Sequence, residues 1–178
     1  MKKIDDYKFI STAKGDQGRS KNYSNEEFSK SDLLFTTLGE LDELNSFLGL
    51  LWHYDHKNPE IRKMQETLQH ISSLVATTNE VVRTTKLVQV TTEDVLKLEE
   101  LEQNLLLQNP LEPSFVLPGS DTSKVGAYYD LCRSITRRVE RTLVKFIEEN
   151  HRGDLFGSLQ YLNRLSDLLF LYARKYAK

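Results

Sequence analysis

The sequence predicts an all-α protein, an up-and-down bundle of five helices. Apolar residues recur at intervals of three and four over five long stretches, which is the period of a helix with one buried face. The connections are short and the chain has almost no strand signal. A length of 178 residues suits one domain. We therefore expect residues 1–178 to form a single domain, with an N-terminal loop over residues 1–30 and the bundle over residues 31–178.

The first three helices have recognisable starts and stops. The first is expected from Asp32 to His53, with Leu34, Leu38, Leu41, Leu44, Phe47, Leu48 and Leu51 on its apolar face. Pro59 introduces the second helix, which the β-rich tract KLVQV ends. Thr91 caps the third helix with Asp94 three residues later, and prolines at positions 110 and 113 stop it.

The fourth helix combines an apolar face with a row of arginines. It follows the turn FVLPGS and is expected to end near Gly153, with an apolar face made of Val125, Tyr128, Leu131, Cys132, Ile135, Val139, Leu143 and Phe146. A neighbouring face holds Arg133, Arg137, Glu140 and Arg141. Arginine presents a planar fork of donors that matches phosphate oxygens, so this face suits a polyphosphate ligand. On this helix alone, a solvated row of surface arginines is an equally good interpretation.

Two polar residues lie at the edges of apolar faces. Asp42, within GELDELNSFLGLLW, is costly to place there unless a cation meets it, so the sequence implies a partner. The fifth helix is expected from Asp154 to Ala177, and Asn163 lies at the edge of its apolar face. A partly buried amide needs hydrogen-bond partners, and most such asparagines are satisfied structurally.

Composition excludes several classes of function. The net charge is −2 with 28% charged residues, so nothing suggests a nucleic-acid or membrane-surface partner. The single cysteine, Cys132, excludes an internal disulfide and lies on an apolar face, which indicates a core residue rather than a nucleophile. The four histidines show no metal-ligand spacing, and we expect no metal held by protein side chains. No apolar run is long enough to span a bilayer and no signal-peptide core is present, so we expect a cytoplasmic protein.

The N-terminal segment STAKGDQGRSKNYSNEEFSK, residues 11–30, has no hydrophobic period and is typical of an irregular loop. Loops of this length in compact domains are usually functional or disordered. The stretch GDQGRSK offers glycine-permitted backbone N–H groups, a hydroxyl and cations to a phosphate. Its spacing is not that of a Walker A loop, so a disordered terminus is the alternative.

Six segments occur in the order and approximate spacing of a known family: GDQG, SKSD, GELDELNSFLG, FVLPGS, CRSITRRVER and YLNRLSDLLFLYAR. They extend over residues 15–174, and DELNS, RRVER and YLNRLSD are the most specific. The chain resembles the PduO-type ATP:cob(I)alamin adenosyltransferases, a corrinoid adenosyltransferase family. The resemblance implies a homotrimer of five-helix bundles with a ferritin-like, cobalamin adenosyltransferase-like fold. Such an enzyme transfers the 5′-deoxyadenosyl group of ATP to cob(I)alamin, forming adenosylcobalamin and releasing triphosphate at a site between subunits.

The resemblance also implies roles for individual residues. The N-terminal loop would wrap ATP, with Lys30 on its phosphates and further contacts from Thr12, Lys14, Gly15, Asp16, Gly18 and Ser20. The ATP-binding positions on the fourth and fifth helices correspond to Arg137, Arg138, Glu140, Arg141 and Asn163. Asp42 and Arg133 match a pair that forms an intersubunit salt bridge beside the corrinoid. Phe115 matches an aromatic ring that displaces the lower axial base and leaves a four-coordinate cob(II)alamin; the alternative is a loop aromatic that plugs the end of the bundle.

The implied cofactors are ATP, Mg²⁺ bound through the ATP phosphates, and cobalamin as the corrinoid substrate. A flavoprotein reductase and an adenosylcobalamin-dependent enzyme are further implied partners, whereas no nucleic acid or membrane is. In the implied reaction a cobalt nucleophile attacks the 5′ carbon of ATP, so the enzyme must position ATP and neutralise the leaving triphosphate. No general base is required, which agrees with a site of arginines, a lysine and an amide.

The ATP loop departs from the family pattern, which has an aromatic, a basic residue and a second threonine at the positions of Ser11, Ala13 and Lys14. Ser20 keeps only the hydroxyl of the family's threonine, and Lys14 supplies a cation one position later. The alternative function is therefore a non-catalytic trimeric corrinoid-binding or carrier protein with impaired use of ATP. A third hypothesis, an unrelated helical protein whose arginine face binds an acidic partner, is disfavoured by six ordered motifs.

Overall fold

The structure, a computed structural model, describes residues 4–119 and 123–176, without the side chains of residues 79 and 83. Over these ranges the chain forms six α-helices: α1 (Leu33–Tyr54), α2 (Glu60–Val75), α3 (Asn79–Thr84), α4 (Thr92–Gln108), α5 (Lys124–Asn150) and α6 (Phe156–Lys175). Two strands, β1 (Arg19–Lys21) and β2 (Glu27–Ser29), form a small hairpin. The all-α prediction is confirmed. Ser120 of the FVLPGS motif and Ala177, the predicted end of the last helix, lie outside the described residues.

The long helices begin where the sequence predicts. The Asp32 carboxylate accepts a hydrogen bond of 2.8 Å from the backbone N–H of Leu34 at the start of α1. Thr91 and Asp94 form the expected capping box at the start of α4. The helix α5 ends at Asn150, three residues before the predicted glycine, because His151 adopts a left-handed conformation with φ 53°.

The sequence analysis missed one helix and misplaced one face. The six-residue α3 precedes the KLVQV tract and is too short to show a repeated apolar period. On α5, Leu131 is 38% exposed, whereas Tyr129 is fully buried. The buried positions Tyr129, Cys132, Thr136 and Val139 follow the three- and four-residue period and leave Leu131 outside it. Burial raises the pKa of Cys132 to about 12, as suits a core thiol.

The bundle is organised around α5 and α6, which pack against each other along their lengths. The helix α1 packs between α5 and α2, while α4 packs on α6. Buried leucines of α1, α2, α5 and α6 fill the core, among them Leu44, Leu68, Leu143 and Leu162. Among the residues described, no helix combines the length and apolar character that crossing a membrane requires.

The N-terminal segment is not an irregular loop throughout, since β1 and β2 pair antiparallel with Ser20 opposite Phe28. Phe28 packs against the core, and the backbone N–H of Tyr23 donates a 2.9 Å hydrogen bond to the Ala76 carbonyl. The hairpin is thereby fixed beside the end of α2. Three-residue polar strands give no alternation long enough to recognise in a sequence, which is why the hairpin was missed.

Candidate active site

The N-terminal segment forms a cup whose cavity measures about 1090 Å³. Six of the seven loop residues expected at an ATP site line this cavity: Thr12, Lys14, Gly15, Asp16, Ser20 and Lys30. The seventh, Gly18, has φ 76°, and its carbonyl accepts a 2.8 Å hydrogen bond from the Lys30 N–H. The lining contains four cationic and two anionic side chains. The cup therefore favours an anionic ligand.

Gly15 makes room for Lys30 within the cup. A Cβ atom at position 15 would lie 2.6 Å from the Lys30 Nζ, closer than such atoms approach. The Lys30 ammonium forms no ion pair with another residue in the described ranges, whereas Arg19 is paired with Glu27 at 3.0 Å. Lys30 is thus a cation left for a ligand of the cup, and glycine at position 15 lets it lie there.

The arginines of α5 point in different directions. Arg137 and Arg141 are exposed, and the Arg141 guanidinium donates a 2.9 Å hydrogen bond to the Arg137 carbonyl. Arg138 instead turns towards α1, where it pairs with Glu43 and lies 3.6 Å from Glu40. A contact between Arg138 and ATP would therefore compete with two carboxylates of its own chain. Arg137 has no such competitor among the described residues.

Asn163 on α6 contacts two charged side chains, its neighbour Arg164 and Glu140, which the packing of α5 on α6 brings to it. Its Nδ2 donates a 2.8 Å hydrogen bond to the Glu140 carboxylate on α5. Its Oδ1 accepts a hydrogen bond from the guanidinium of Arg164, which also lies 3.4 Å from the Asp167 carboxylate. The structure thus brings the predicted residues Glu140 and Asn163 together. The sequence analysis did not single out Arg164.

A buried ion pair lies behind Arg133. Asp130 on α5 and Arg174 on α6 pair with each other, and both side chains are only 5% exposed. The second oxygen of Asp130 lies 3.5 Å from the Arg133 Nε. Asp42, the expected partner of Arg133, is exposed and forms no ion pair within the described part of its own chain. Within one subunit, therefore, Asp42 and Arg133 do not form the predicted ion pair with each other.

Phe115 lies in the connection between α4 and α5, and its ring is fully exposed. The alternative interpretation, in which this ring plugs the end of the bundle, is therefore wrong. The adjoining turn has Gly119 at φ 81°, a conformation that favours glycine. An aromatic ring without a packing partner in the described part of its own chain is available to a ligand or a second subunit.

Within one chain the cup and the arginine face stay apart. No residue of α5 or α6 lines the cup. The hairpin instead borders the far end of α5, where Phe28 shares a groove with Phe146 and Asn150. From Phe146 back to Arg137 is a rise of about 13 Å along the helix. Among the described residues, no three His, Cys, Asp or Glu side chains are grouped so as to hold a metal ion.

Comparison with known proteins identifies the family. The model of the family described as cobalamin adenosyltransferase matches residues 10–176, nearly the whole chain. This chain belongs to the cobalamin adenosyltransferase family. The corrinoid adenosyltransferase MMAB of Bos taurus is 33% identical over 172 residues, which cover 93% of this chain and 70% of the bovine protein. The corrinoid adenosyltransferase of Citrobacter freundii is 31% identical over 170 residues, which cover 93% of each.

Solved structures of the family agree with the fold. A single-residue variant of the PduO-type ATP:corrinoid adenosyltransferase from Lactobacillus reuteri, complexed with cobalamin and ATP, is similar with a TM-score of 0.82 and 29% identity. The similarity covers 93% of this chain and 91% of that one. A second variant of that enzyme, complexed with ATP, has a TM-score of 0.80 and 28% identity. The predictions of the family, of its fold and of an enzyme of the corrinoid adenosyltransferase type are confirmed.

Proposed function

We propose that this member of the cobalamin adenosyltransferase family transfers the 5′-deoxyadenosyl group of ATP to cob(I)alamin and releases triphosphate. The proposal rests mainly on two cationic side chains that form no ion pair with any described residue and lie far apart within one chain. Lys30 lies in the N-terminal cup, whereas Arg137 lies on the middle of α5. A second copy of the chain that places its α5 and α6 over the cup completes a polyphosphate site that neither copy holds alone.

ATP is held from both sides in this arrangement. The cup supplies the Lys30 ammonium, the hydroxyls of Thr12 and Ser20 and glycine-permitted backbone N–H groups. The neighbouring copy supplies Arg137 and the Asn163 amide, which is held by Glu140. The two solved variants of the Lactobacillus reuteri enzyme are complexed with ATP, which supports ATP as a ligand of this chain.

The reaction follows from the chemistry of the two substrates. The cobalt of cob(I)alamin attacks the 5′ carbon, a carbon–cobalt bond forms, and the 5′ carbon–oxygen bond breaks with its electron pair remaining on triphosphate. Cations aimed at the phosphates stabilise the charge that develops on the leaving group. Mg²⁺ bound to the phosphates adds charge neutralisation when present. The chain's own residues position ATP and exclude water, and none of them needs to remove a proton.

The corrinoid lies where Arg133 of one copy meets Asp42 of another. Among the described residues, Arg133 forms an ion pair with Asp130 alone, through its Nε, so its outer nitrogens are able to pair with a neighbouring copy. Leu50 and Tyr54 of α1, both 40% exposed, add apolar surface on the same pair of helices. The exposed ring of Phe115 is the group that displaces the lower axial base from cobalt. Three copies joined in this way give a homotrimer with its sites between subunits.

A non-catalytic corrinoid carrier is the second candidate, because the ATP loop departs from the family pattern at Ser11 and Ala13. Against it, Lys14 and Lys30 both line the cup and supply cations. A flavoprotein reductase and an adenosylcobalamin-dependent enzyme as partners stay predictions from the resemblance. A cytoplasmic location stays a prediction as well.

The test is to mix the protein with ATP, Mg²⁺ and chemically reduced cobalamin and follow the corrinoid spectrum. The proposed function predicts that adenosylcobalamin appears. Lys30→Met is expected to raise the Michaelis constant for ATP by about tenfold or more, since a charge-assisted phosphate contact is lost. Lys145→Met, which removes an exposed cation from α5, is the matched control and is expected to behave as wild type. Corrinoid binding without any turnover would support the carrier instead.

A further inference from the structure

We propose that Arg164 is a positioning residue of the nucleotide site, which holds the Asn163 amide in the one orientation that serves ATP. The inference rests on the proposed function, because it takes Asn163 as an ATP contact. It adds a residue that acts through Asn163 rather than on the phosphates.

The argument starts from the symmetry of an asparagine side chain. Rotation of the amide by half a turn exchanges its oxygen and its nitrogen with almost no change of shape. An unrestrained Asn163 would therefore present a donor or an acceptor to a ligand with similar ease. A phosphate oxygen accepts hydrogen bonds, so only an outward N–H is useful to it.

Arg164 and Glu140 remove this ambiguity together. The Arg164 guanidinium can only donate, so it requires the Asn163 oxygen on its side. The Glu140 carboxylate accepts, and Asn163 Nδ2 donates to it at 2.8 Å. The flipped amide would set donor against donor at Arg164 and oxygen against carboxylate at Glu140. In the observed orientation one N–H of Asn163 is used by Glu140 and the other remains for a ligand.

Arg164 is itself held within the chain, which distinguishes it from a phosphate-binding arginine. One terminal nitrogen donates to Asn163, and the other lies 3.4 Å from Asp167, one turn further along α6. Its side chain is 35% exposed. Glu102 of α4 is a third acceptor nearby, and its Oε1 is buried without a hydrogen-bond partner in the described part of the chain. The charge of Asp167 raises the pKa of Glu102, whereas the charge of Arg164 lowers it.

A double-mutant cycle separates positioning from direct contact. The affinity for Mg²⁺-ATP is measured by calorimetry for the full-length wild type, Asn163→Ala, Arg164→Met and the double variant. Asn163→Ala is expected to weaken binding by about ten- to a hundredfold and Arg164→Met by about fivefold or more. The double variant is expected to bind within about twofold of Asn163→Ala, because Arg164 has nothing left to orient.

The other results are equally informative. Losses that multiply in the double variant would show that Arg164 contacts ATP itself and would overturn the inference while leaving the proposed function intact. Full affinity in Asn163→Ala would remove both the inference and the assignment of Asn163. Arg164→Lys is a second variant that keeps the charge but loses the two terminal nitrogens that face Asn163 and Asp167, so the affinity for ATP should fall as in Arg164→Met. Wild-type affinity in Arg164→Lys would show that the positive charge is sufficient and would contradict orientation by the guanidinium. Lys145→Met, as an exposed cation outside the site, is the matched control.

Discussion

The Nε of Arg133 lies 3.5 Å from the carboxylate of Asp130, one turn earlier in α5. Asp130 is in turn held by Arg174 of α6, and both members of that pair are almost completely buried. The buried Asp130 carboxylate thus lies between two guanidinium groups and next to the inner end of Arg133. The Arg133 side chain is 29% exposed, so its outer nitrogens can reach a carboxylate of a neighbouring copy.

We predict that Arg133→Ala weakens the trimer and lowers activity. The lost pair with Asp42 of a neighbouring copy should cost on the order of 2–5 kcal/mol if it is desolvated at the interface. Analytical ultracentrifugation at micromolar concentration measures the change. Lys145→Ala, on the same helix, should leave the assembly unchanged.

Exchange of the two charges tests the pairing itself. Asp42→Arg and Arg133→Asp should each weaken association, and the double variant should recover part of it because the opposite charges meet again. A wild-type protein that sediments as a monomer would contradict the assembly.

The two adjacent arginines of α5 should differ in their effect on ATP. Arg137→Ala is expected to weaken ATP binding by about ten- to a hundredfold, because an unengaged guanidinium is lost. Arg138→Ala should have the smaller effect on ATP and the larger effect on stability, since Arg138 pairs with Glu40 and Glu43. Steady-state kinetics in ATP and thermal unfolding give the two readouts. The reverse order of effects would place Arg138, and not Arg137, on the phosphates.

Phe115→Ala should separate the corrinoid role from the ATP role. The ring is fully exposed in the single chain, so its removal should leave thermal stability and ATP binding unchanged. If the ring displaces the axial base, cob(II)alamin bound with ATP should stay five-coordinate in the variant. Electron paramagnetic resonance reports this directly. A four-coordinate signal of equal strength in wild type and variant would exclude the role.

Glu102 should make stability fall as the pH rises. Burial, and then the charge of Asp167, raises the pKa of Glu102 to about 7, while Arg164 opposes the shift and Glu99 adds to it. The pKa of a glutamate in an unfolded chain is about 4.3, so the folded protein binds this proton more tightly than the unfolded chain does. The resulting stabilisation is complete below about pH 4 and is lost as the pH rises through about 7.

The variant Glu102→Gln is permanently neutral and should therefore match wild type at acidic pH. At pH 8 it should be more stable by on the order of 1 kcal/mol, the full effect being reduced because the side chain is partly solvated. Urea denaturation at pH 5 and pH 8 measures the difference, with Glu100→Gln on the same helix as the control. An advantage of Glu102→Gln that is equal at both pH values would contradict the assignment.

The helices that the sequence predicted correctly are those with several turns of apolar period and a recognisable cap, such as α1 after Asp32 and α4 after Thr91. The elements it missed are short and polar. Neither the three-residue strands of the hairpin nor the six-residue α3 contains enough positions to show a period. Tyr129 and Ile147 are large core residues of α5 that were overlooked, although their spacing from Cys132 and Leu143 fits the buried face.

The candidate site was predictable only where residue type and motif sufficed. Arg137 and Asn163 were found because an arginine face and an edge amide are visible in one helix at a time. The Asp130–Arg174 pair joins residues 44 positions apart, and Arg164 matters through its contact with Asn163, whose amide donates to Glu140 of another helix. The Asp130–Arg174 and Asn163–Glu140 contacts depend on how α5 and α6 pack, which no local pattern specifies.

The most direct test of the proposed reaction is to follow the fate of both parts of ATP in a single turnover. Protein, Mg²⁺, chemically reduced cobalamin and ATP labelled with carbon-13 at the 5′ position are mixed, and the products are observed by carbon and phosphorus nuclear magnetic resonance. The account predicts that the labelled carbon becomes bonded to cobalt and that triphosphate forms in equal amount with adenosylcobalamin. Labelled ATP that remains intact beside bound corrinoid, or that yields ADP and phosphate, would contradict it.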